Sequence, residues 1–116
     1  MNRLWRATIN SWNGLVAITR SEAAFRQELV VLALAIPLAF VLTGETPKRF
    51  ALIGVIVIVL IVELLNTAIE KLADRVTRKN DSAIRRVKDM GSTAVGISLL
   101  LAGAVWIWIV IEWLWP

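Results

Sequence analysis

A row of polar side chains follows a long apolar run in the middle of the chain. Residues 50–62 carry no charge and are almost wholly apolar, and Glu63 comes directly after them. On an α-helix Asn66, Glu70 and Asp74 lie within a stripe of about 80° that includes Glu63, because positions three and four apart share a face. Most of the intervening residues are apolar, so one stripe becomes polar while the rest of the helix stays hydrophobic. Ionisable groups in or near a membrane are costly, and such a stripe therefore indicates a functional site. The alternative is a polar helix face that leaves the membrane for water.

The composition limits the chemistry that this stripe supports. The chain has no cysteine and no histidine, which excludes thiolate metal sites, disulfides and histidine-dependent relays. Carboxylates alone favour Mg²⁺ or Ca²⁺ as a metal, and neighbouring Lys and Arg suit a phosphate group. No G-x-x-x-x-G-K-[ST] motif is present, so the chain is not a P-loop enzyme. The residues alone leave two interpretations open, a membrane phosphotransferase and a cation or proton pathway.

Two other polar segments stand just before apolar runs. In SEAAFRQE (21–28), Glu22 and Arg26 have the i, i+4 spacing of a helical ion pair, which is one interpretation of this segment. In VKDMGSTA (87–94), charged residues either bind a ligand or mark a membrane boundary, and the small residues after them allow helices to approach closely. The second segment contains Lys88, Asp89, Gly91 and Ser92.

Three apolar runs must position these polar groups. They cover residues 29–42, 50–62 and 94–111, and helices that are apolar all round lie in a core or in lipid. A chain of 116 residues has too little other surface to cover three of them, and 58% of its residues are hydrophobic, against about 45–50% in soluble domains. We therefore predict an all-α integral membrane protein with one domain, residues 1–116. Its predicted spans are 23–42, 50–70 (continuing as helix to about 76) and 90–113.

Lysine and arginine set the predicted orientation. Residues 1–28 hold four of them and residues 71–88 hold seven, whereas residues 43–49 hold two and the segment after Ile111 holds none. By the positive-inside rule the N-terminus and residues 71–88 lie in the cytoplasm, and the C-terminus lies outside. This topology explains the basic residues, so we expect no nucleic-acid partner. Four tryptophans suit an aromatic belt at the outer interface, namely Trp106, Trp108, Trp113 and Trp115.

The spacing of apolar side chains in residues 1–20 predicts an amphipathic helix on the membrane surface. At 100° per residue the large apolar side chains share one face, and Arg3 and Arg6 lie opposite. A basic amphipathic helix with tryptophan on its apolar face suits the membrane interface. An ordinary helix packed on a soluble core is the alternative. The apolar face contains Leu4, Trp5, Ile9, Trp12, Leu15 and Val16.

The segments SEAAFRQE, ELLNTAIEKLADR and VKDMGSTA resemble signature segments of the prokaryotic diacylglycerol kinase family. The resemblance includes SWNGL (11–15) and the order and spacing of the segments over nearly the whole chain. It implies a homotrimer of three-span subunits in the bacterial inner membrane, with a periplasmic C-terminus and active sites between subunits. It also implies phosphorylation of diacylglycerol to phosphatidic acid by MgATP. Some members phosphorylate undecaprenol instead, and DMGSTA is more similar to the diacylglycerol branch.

The resemblance also implies roles for single residues. Glu63 matches the general base, and Asn66 matches a residue that supports it. Glu22 and Glu70 match ligands of both the metal ion and ATP. Arg3, Asn10, Lys88 and Asp89 match further ATP contacts. Asn10 stands where the family has an aromatic residue. The loop 77–87 has the length of the family's loop but little of its sequence. The lipid-substrate side matches Ala24 and the rest of residues 23–27, together with Glu28 and Ser92.

The position of the stripe agrees with such a reaction. A lipid alcohol stays in the bilayer and ATP stays in water, so their reaction must occur at the cytoplasmic boundary. Three thin helices cannot cover the stripe alone, and a carboxylate that faces lipid is costly, so we expect oligomers. The alternatives are a small oligomeric transporter with Glu63 as its proton or cation site, and a non-catalytic membrane subunit, which leaves the stripe unexplained.

Overall fold

A computed structural model describes residues 2–116, and all regular structure in this range is α-helical. The helices are α1 (Asn2–Ser21), α2 (Ala23–Leu42), α3 (Thr46–Val76) and α4 (Ser82–Leu114). The last three are long and apolar enough to cross a membrane. The predicted all-α fold with three candidate spans is confirmed.

The junction between α1 and α2 is a single extended residue, Glu22, with φ −119° and ψ 111°. Arg26 on α2 turns back across this junction, and its Nη1 donates hydrogen bonds to the carbonyls of Thr19 at 2.8 Å and Arg20 at 3.1 Å. Arg26 thereby satisfies carbonyls that the end of α1 leaves without helical partners. No ion pair joins Glu22 to Arg26 in the described chain, because the Arg26 guanidinium is directed to the carbonyls of Thr19 and Arg20 instead.

A side-chain cap fixes the start of α4. Asp81 Oδ1 accepts hydrogen bonds from the backbone amides of Ala83 at 2.9 Å and Ile84 at 3.1 Å. Such a cap stabilises a helix by about 1 kcal/mol. It explains why α4 begins at Ser82, well before residue 90, where the third span was predicted to start.

Two of the helices are longer than a membrane requires. The 31 residues of α3 and the 33 residues of α4 measure about 46 and 50 Å at a rise of 1.5 Å per residue. The hydrocarbon layer is about 30 Å thick. Both helices therefore exceed the thickness of this layer, and their charged parts, at the C-terminal end of α3 and the N-terminal end of α4, are continuous helix. The polar stripe thus lies on regular helix.

The central helix is α3, which packs against both α2 and α4. One cluster of buried side chains joins all three helices, and a second joins α3 to α4. The indole Nε1 of Trp106 donates a hydrogen bond to the Leu52 carbonyl at 3.0 Å, which links α4 to α3 directly. The first cluster contains Ala39, Leu42, Leu52 and Ile109, and the second contains Val55, Val59 and Ala102.

Helix α1 is attached to the bundle near its C-terminal end. Ile18 is buried in a cluster with Phe25 of α2 and Leu60 of α3. The apolar side chains nearer the start of α1 are between 40% and 71% exposed within the single chain, so α2–α4 do not cover this face. These side chains are Leu4, Trp5, Ile9, Trp12 and Leu15.

Candidate active site

Helix α3 positions the polar stripe. No proline or glycine interrupts residues 55–76, so the whole segment remains one helix. Glu63, Asn66 and Glu70 are half-buried, and Asp74 is exposed. The stripe therefore passes from the packed part of the bundle towards its surface. Seven residues separate Glu63 from Glu70, which corresponds to about 10 Å along the helix axis.

The Asn66 side chain holds the Glu70 carboxylate. Its Nδ2 donates a hydrogen bond to Glu70 Oε1 at 3.1 Å, across one helical turn. The Asn66 Oδ1 atom is buried and has no hydrogen-bond partner within residues 2–116. It faces Gly91 on α4, where an added Cβ would overlap it. The hydrogen bond of Asn66 is thus directed to Glu70. The family resemblance implied that Asn66 supports Glu63, and this role remains a prediction.

Helix α2 brings a second carboxylate to Glu63. Glu28 lies beside Glu63, close enough that the charges of the two carboxyl groups act on each other. Glu28 Oε2 is buried and has no hydrogen-bond partner in the described part of the chain. Two adjacent carboxylates repel each other unless a proton or a cation lies between them. The pair is therefore suited to accept a proton or to contact a cation. We call Glu28, Glu63, Asn66 and Glu70 the carboxylate cluster.

The end of α1 approaches the far end of the stripe. Lys71 Nζ donates a hydrogen bond to Ser21 Oγ at 3.4 Å, and these two residues are the chain neighbours of Glu70 and Glu22. The two predicted metal ligands therefore belong to segments that are in contact. Among residues 2–116 no group of three acidic side chains could hold a metal ion. Mg²⁺ commonly takes only one or two protein carboxylates together with substrate phosphates.

The turn between α3 and α4 forms a basic cavity of about 300 Å³. Asp81 also lines it, but its carboxylate caps α4. Lys88 contacts Asp74 of α3, with 2.5 Å between Nζ and Oδ1, so this pair joins the two helices beside the cavity. An excess of cations suits a phosphate-bearing ligand. The cavity is lined by the four cations Arg78, Lys79, Arg85 and Lys88.

Other predicted site residues do not join this cluster in the single chain. Arg3 and Asn10 are exposed on the first half of α1, and no hydrogen bond or ion pair of their side chains occurs within residues 2–116. Ala24 is exposed in the first turn of α2. Asp89 and Ser92 are exposed near the start of α4. These positions are open to a ligand or to another chain.

Sequence reasoning missed two contacts that shape the site. Lys71 links α3 to the end of α1, and Gly91 makes room for Asn66. Only the second had a sequence signal, the small residues of VKDMGSTA, which predicted a close helix approach without naming its partner.

The chain matches the model of a family described as Prokaryotic diacylglycerol kinase over residues 9–110. A diacylglycerol kinase of Escherichia coli (strain K12) is 42% identical over 104 residues, which cover 90% of this chain and 85% of that protein. One from Pseudomonas aeruginosa is 40% identical over 106 residues, covering 91% and 86%. One from Haemophilus influenzae is 37% identical over 107 residues, covering 91% and 90%.

Proposed function

Because this chain belongs to the prokaryotic diacylglycerol kinase family, we propose that it transfers the γ-phosphate of ATP to diacylglycerol and forms phosphatidic acid. The family and the three apolar helices identify a membrane protein. The observation that carries the proposal is the polar stripe of α3, which has a carboxylate pair at one end and a basic cavity beyond the other. A lipid alcohol and a nucleotide phosphate need this combination at a membrane boundary.

Glu63 is the proposed general base. It directly follows the apolar part of α3, whereas Glu70 lies two helical turns further along. In the proposed step the diacylglycerol hydroxyl oxygen attacks the γ-phosphorus, and its proton passes to Glu63. The bond between the γ-phosphorus and the β–γ bridging oxygen breaks, and its electron pair leaves with ADP. Asn66 supports this arrangement from the next turn of the helix.

Glu22 and Glu70 are the proposed ligands of Mg²⁺. Asn66 Nδ2 engages one oxygen of Glu70, and no side chain of residues 2–116 donates a hydrogen bond to the Glu22 carboxylate. This pair of carboxylates on adjoining segments fits the oxygen-only preference of Mg²⁺ and leaves positions for phosphate oxygens. When bound, the ion neutralises charge on the transferred phosphate.

The proposed substrate contacts surround this centre. Arg3, Asn10, Lys88 and Asp89 contact ATP, together with the basic turn between α3 and α4. The lipid side is formed by residues 23–27 (Ala24 among them), Glu28 and Ser92, as the family resemblance implies.

A homotrimer in the bacterial inner membrane is the proposed assembly. Residues 2–116 of one chain leave Arg3 and Asn10 exposed on a helix that is attached near its end. A neighbouring subunit would receive these side chains and cover part of the stripe. We place the N-terminus and the 77–81 turn in the cytoplasm, the C-terminus in the periplasm, and the amphipathic face of α1 on the membrane surface.

A lipid-kinase assay tests this function. Purified protein in mixed micelles is given radiolabelled ATP and diacylglycerol with Mg²⁺ or with EDTA, and parallel samples contain undecaprenol. We expect labelled phosphatidic acid in the presence of Mg²⁺ only, and little labelled undecaprenyl phosphate. Predominant labelling of undecaprenol would contradict the proposed substrate and would show that the protein is an undecaprenol kinase.

A flux assay addresses the remaining alternative. A proton or cation transporter would show flux in proteoliposomes without ATP and would not bind nucleotide. Neither alternative from the sequence is favoured by the relatives, which are named diacylglycerol kinases.

A further inference from the structure

Gly91 lies where α4 crosses the polar stripe of α3. We propose that Gly91 is a positioning residue for nucleotide binding, because its missing side chain lets the Asn66 amide lie against α4 and hold Glu70 in one orientation. The inference rests on the proposed function, since the fixed orientation of Glu70 matters only if Glu70 serves the Mg²⁺–nucleotide complex. It assigns a role to a residue without any reactive group.

The space that a side chain at position 91 would need is filled by Asn66. A Cβ added to Gly91 would overlap the Oδ1 atom of Asn66 and would lie 3.3 Å from its Cγ and 4.0 Å from its Cβ. All three of the nearest atoms belong to this one side chain. Gly91 itself is buried, so the contact lies inside the α3–α4 interface. A methyl group at position 91 would therefore have to displace the Asn66 amide.

The hydrogen bond to Glu70 determines which way this amide points. A carboxylate only accepts hydrogen bonds, so the Nδ2 group of Asn66 must face Glu70, at the observed 3.1 Å. The Oδ1 atom is then directed at Gly91, where it is buried without a partner. A buried acceptor without a partner is unfavourable and rare in folded proteins. The fold nevertheless keeps Asn66 Oδ1 without a partner in the described chain. In this orientation the Asn66 amide holds the Glu70 carboxylate from one side.

This close approach distinguishes Gly91 from other glycines of the same helix. A Cβ added to Gly96 or Gly103 would have no neighbour within 4 Å. The absence of a side chain is therefore a geometric requirement at position 91 but not at positions 96 and 103. Gly96→Ala provides a matched control, because it makes the same chemical change five residues further along α4.

We expect Gly91→Ala to weaken the nucleotide side of the reaction selectively. The added methyl group displaces the Asn66 amide, Glu70 loses its hydrogen bond, and the carboxylate is free to rotate. The KM for MgATP should rise about tenfold, as expected for the loss of one hydrogen bond to a charged group. The KM for diacylglycerol should stay within about twofold, because Glu28 and Glu63 are unchanged. Gly96→Ala should leave both constants within about twofold.

Two measurements that do not depend on turnover accompany the kinetics. The first is binding of Mn²⁺ with a non-hydrolysable ATP analogue, followed by electron paramagnetic resonance, where Gly91→Ala should weaken binding and Gly96→Ala should not. The second is the side-chain amide signal of Asn66 in ¹⁵N-labelled protein, identified by its loss in Asn66→Ala. This signal should shift in Gly91→Ala and stay in place in Gly96→Ala.

The outcomes separate this inference from the proposed function. Unchanged Mn²⁺–nucleotide binding in Gly91→Ala would overturn the positioning role even if the enzyme is a diacylglycerol kinase. Wild-type protein that binds no Mn²⁺–nucleotide and phosphorylates no lipid would overturn the proposed function, whereas the Asn66 signal would still report the contact with Gly91.

The double variant Gly91→Ala/Asn66→Ala tests the same contact if Gly91→Ala alone does not fold. Removing the Asn66 side chain removes the overlap, so the double variant should fold as Asn66→Ala does. Its KM for MgATP should equal that of Asn66→Ala, because two changes that act through one contact are not additive. Failure of the double variant to fold, or additive increases in KM, would contradict the role assigned to Gly91.

Discussion

Polar side chains form clusters at two levels of the bundle. The two clusters differ in whether their charged groups have partners of opposite charge. Near the start of α3, Lys48 Nζ lies 2.5 Å from Glu112 Oε1 and 3.0 Å from Glu45 Oε2. Trp108 Nε1 donates to the other oxygen of Glu112 at 3.0 Å, and Lys48 also lies 5.6 Å from the centre of the Trp108 ring. We call Glu45, Lys48, Trp108 and Glu112 the tryptophan-end cluster. Each of its charged groups has a partner of opposite charge.

The carboxylate cluster, about 22 Å further along α3 at 1.5 Å per residue, is arranged differently. Within residues 2–116 no cation forms an ion pair with Glu28, Glu63 or Glu70. Two of its buried atoms, Glu28 Oε2 and Asn66 Oδ1, have no hydrogen-bond partner there. The ion pairs at the tryptophan end are closed within the chain and leave no charged group there without a partner. The carboxylates of the carboxylate cluster lack such cations in the described chain, so they remain available to a substrate, a metal ion or a proton.

Among the variants that compare the two clusters, Glu63→Gln should cause the largest loss of kcat. Glutamine keeps the size of the side chain but cannot accept a proton at neutral pH, so we expect kcat to fall by about 10²–10⁴-fold. The free energy of unfolding should stay the same or rise slightly, because the change also removes repulsion between Glu63 and Glu28. The assay is phosphatidic acid formation in mixed micelles, with SDS-induced unfolding measured on the same preparations. Near-normal turnover in Glu63→Gln would refute the general-base role.

A smaller loss of kcat is expected from Glu28→Gln. This variant distinguishes the role of Glu28 from that of Glu63. Glu63 keeps its capacity to accept a proton, but it loses its carboxyl neighbour on α2. We expect kcat to fall about tenfold, well short of the loss caused by a missing base. Both variants are compared at saturating MgATP across several diacylglycerol concentrations. A loss in Glu28→Gln as large as that in Glu63→Gln would mean that the pair acts as one unit or that the roles are reversed.

The fold could be predicted from the sequence to a large extent, and the reason is the membrane. Three long apolar runs leave few arrangements open, because backbone groups in lipid must form helices or closed barrels. The extension of α3 and α4 beyond the spans was only partly foreseen, since their polar ends lack the apolar signal. The start of α4 at Ser82 depends on the Asp81 carboxylate cap, which lies in a polar segment without an apolar signal.

The site could be predicted only where one helix carries it. The stripe from Glu63 to Asp74 follows from helical spacing alone, since its members share a single element. The contact between Glu28 and Glu63 depends on how α2 packs on α3, and that between Asn66 and Gly91 depends on α4. Spacing misled at Glu22 and Arg26, because the chain turns between α1 and α2 without a glycine or proline to signal it.

The smallest effect is expected from Glu112→Gln, which makes the same chemical change as Glu63→Gln in the tryptophan-end cluster. Glutamine can still accept the hydrogen bond from Trp108, but it lacks the charge that pairs with Lys48, whose remaining partner is then Glu45. Exposed ion pairs contribute little to stability, so SDS-induced unfolding should shift slightly towards lower SDS, and tryptophan fluorescence should report the change. Because the cluster is remote from the carboxylate cluster, kcat and both KM values should stay within about twofold of wild type. A loss of activity comparable to that in Glu28→Gln, without unfolding, would show that the division between a structural and a reactive cluster is wrong.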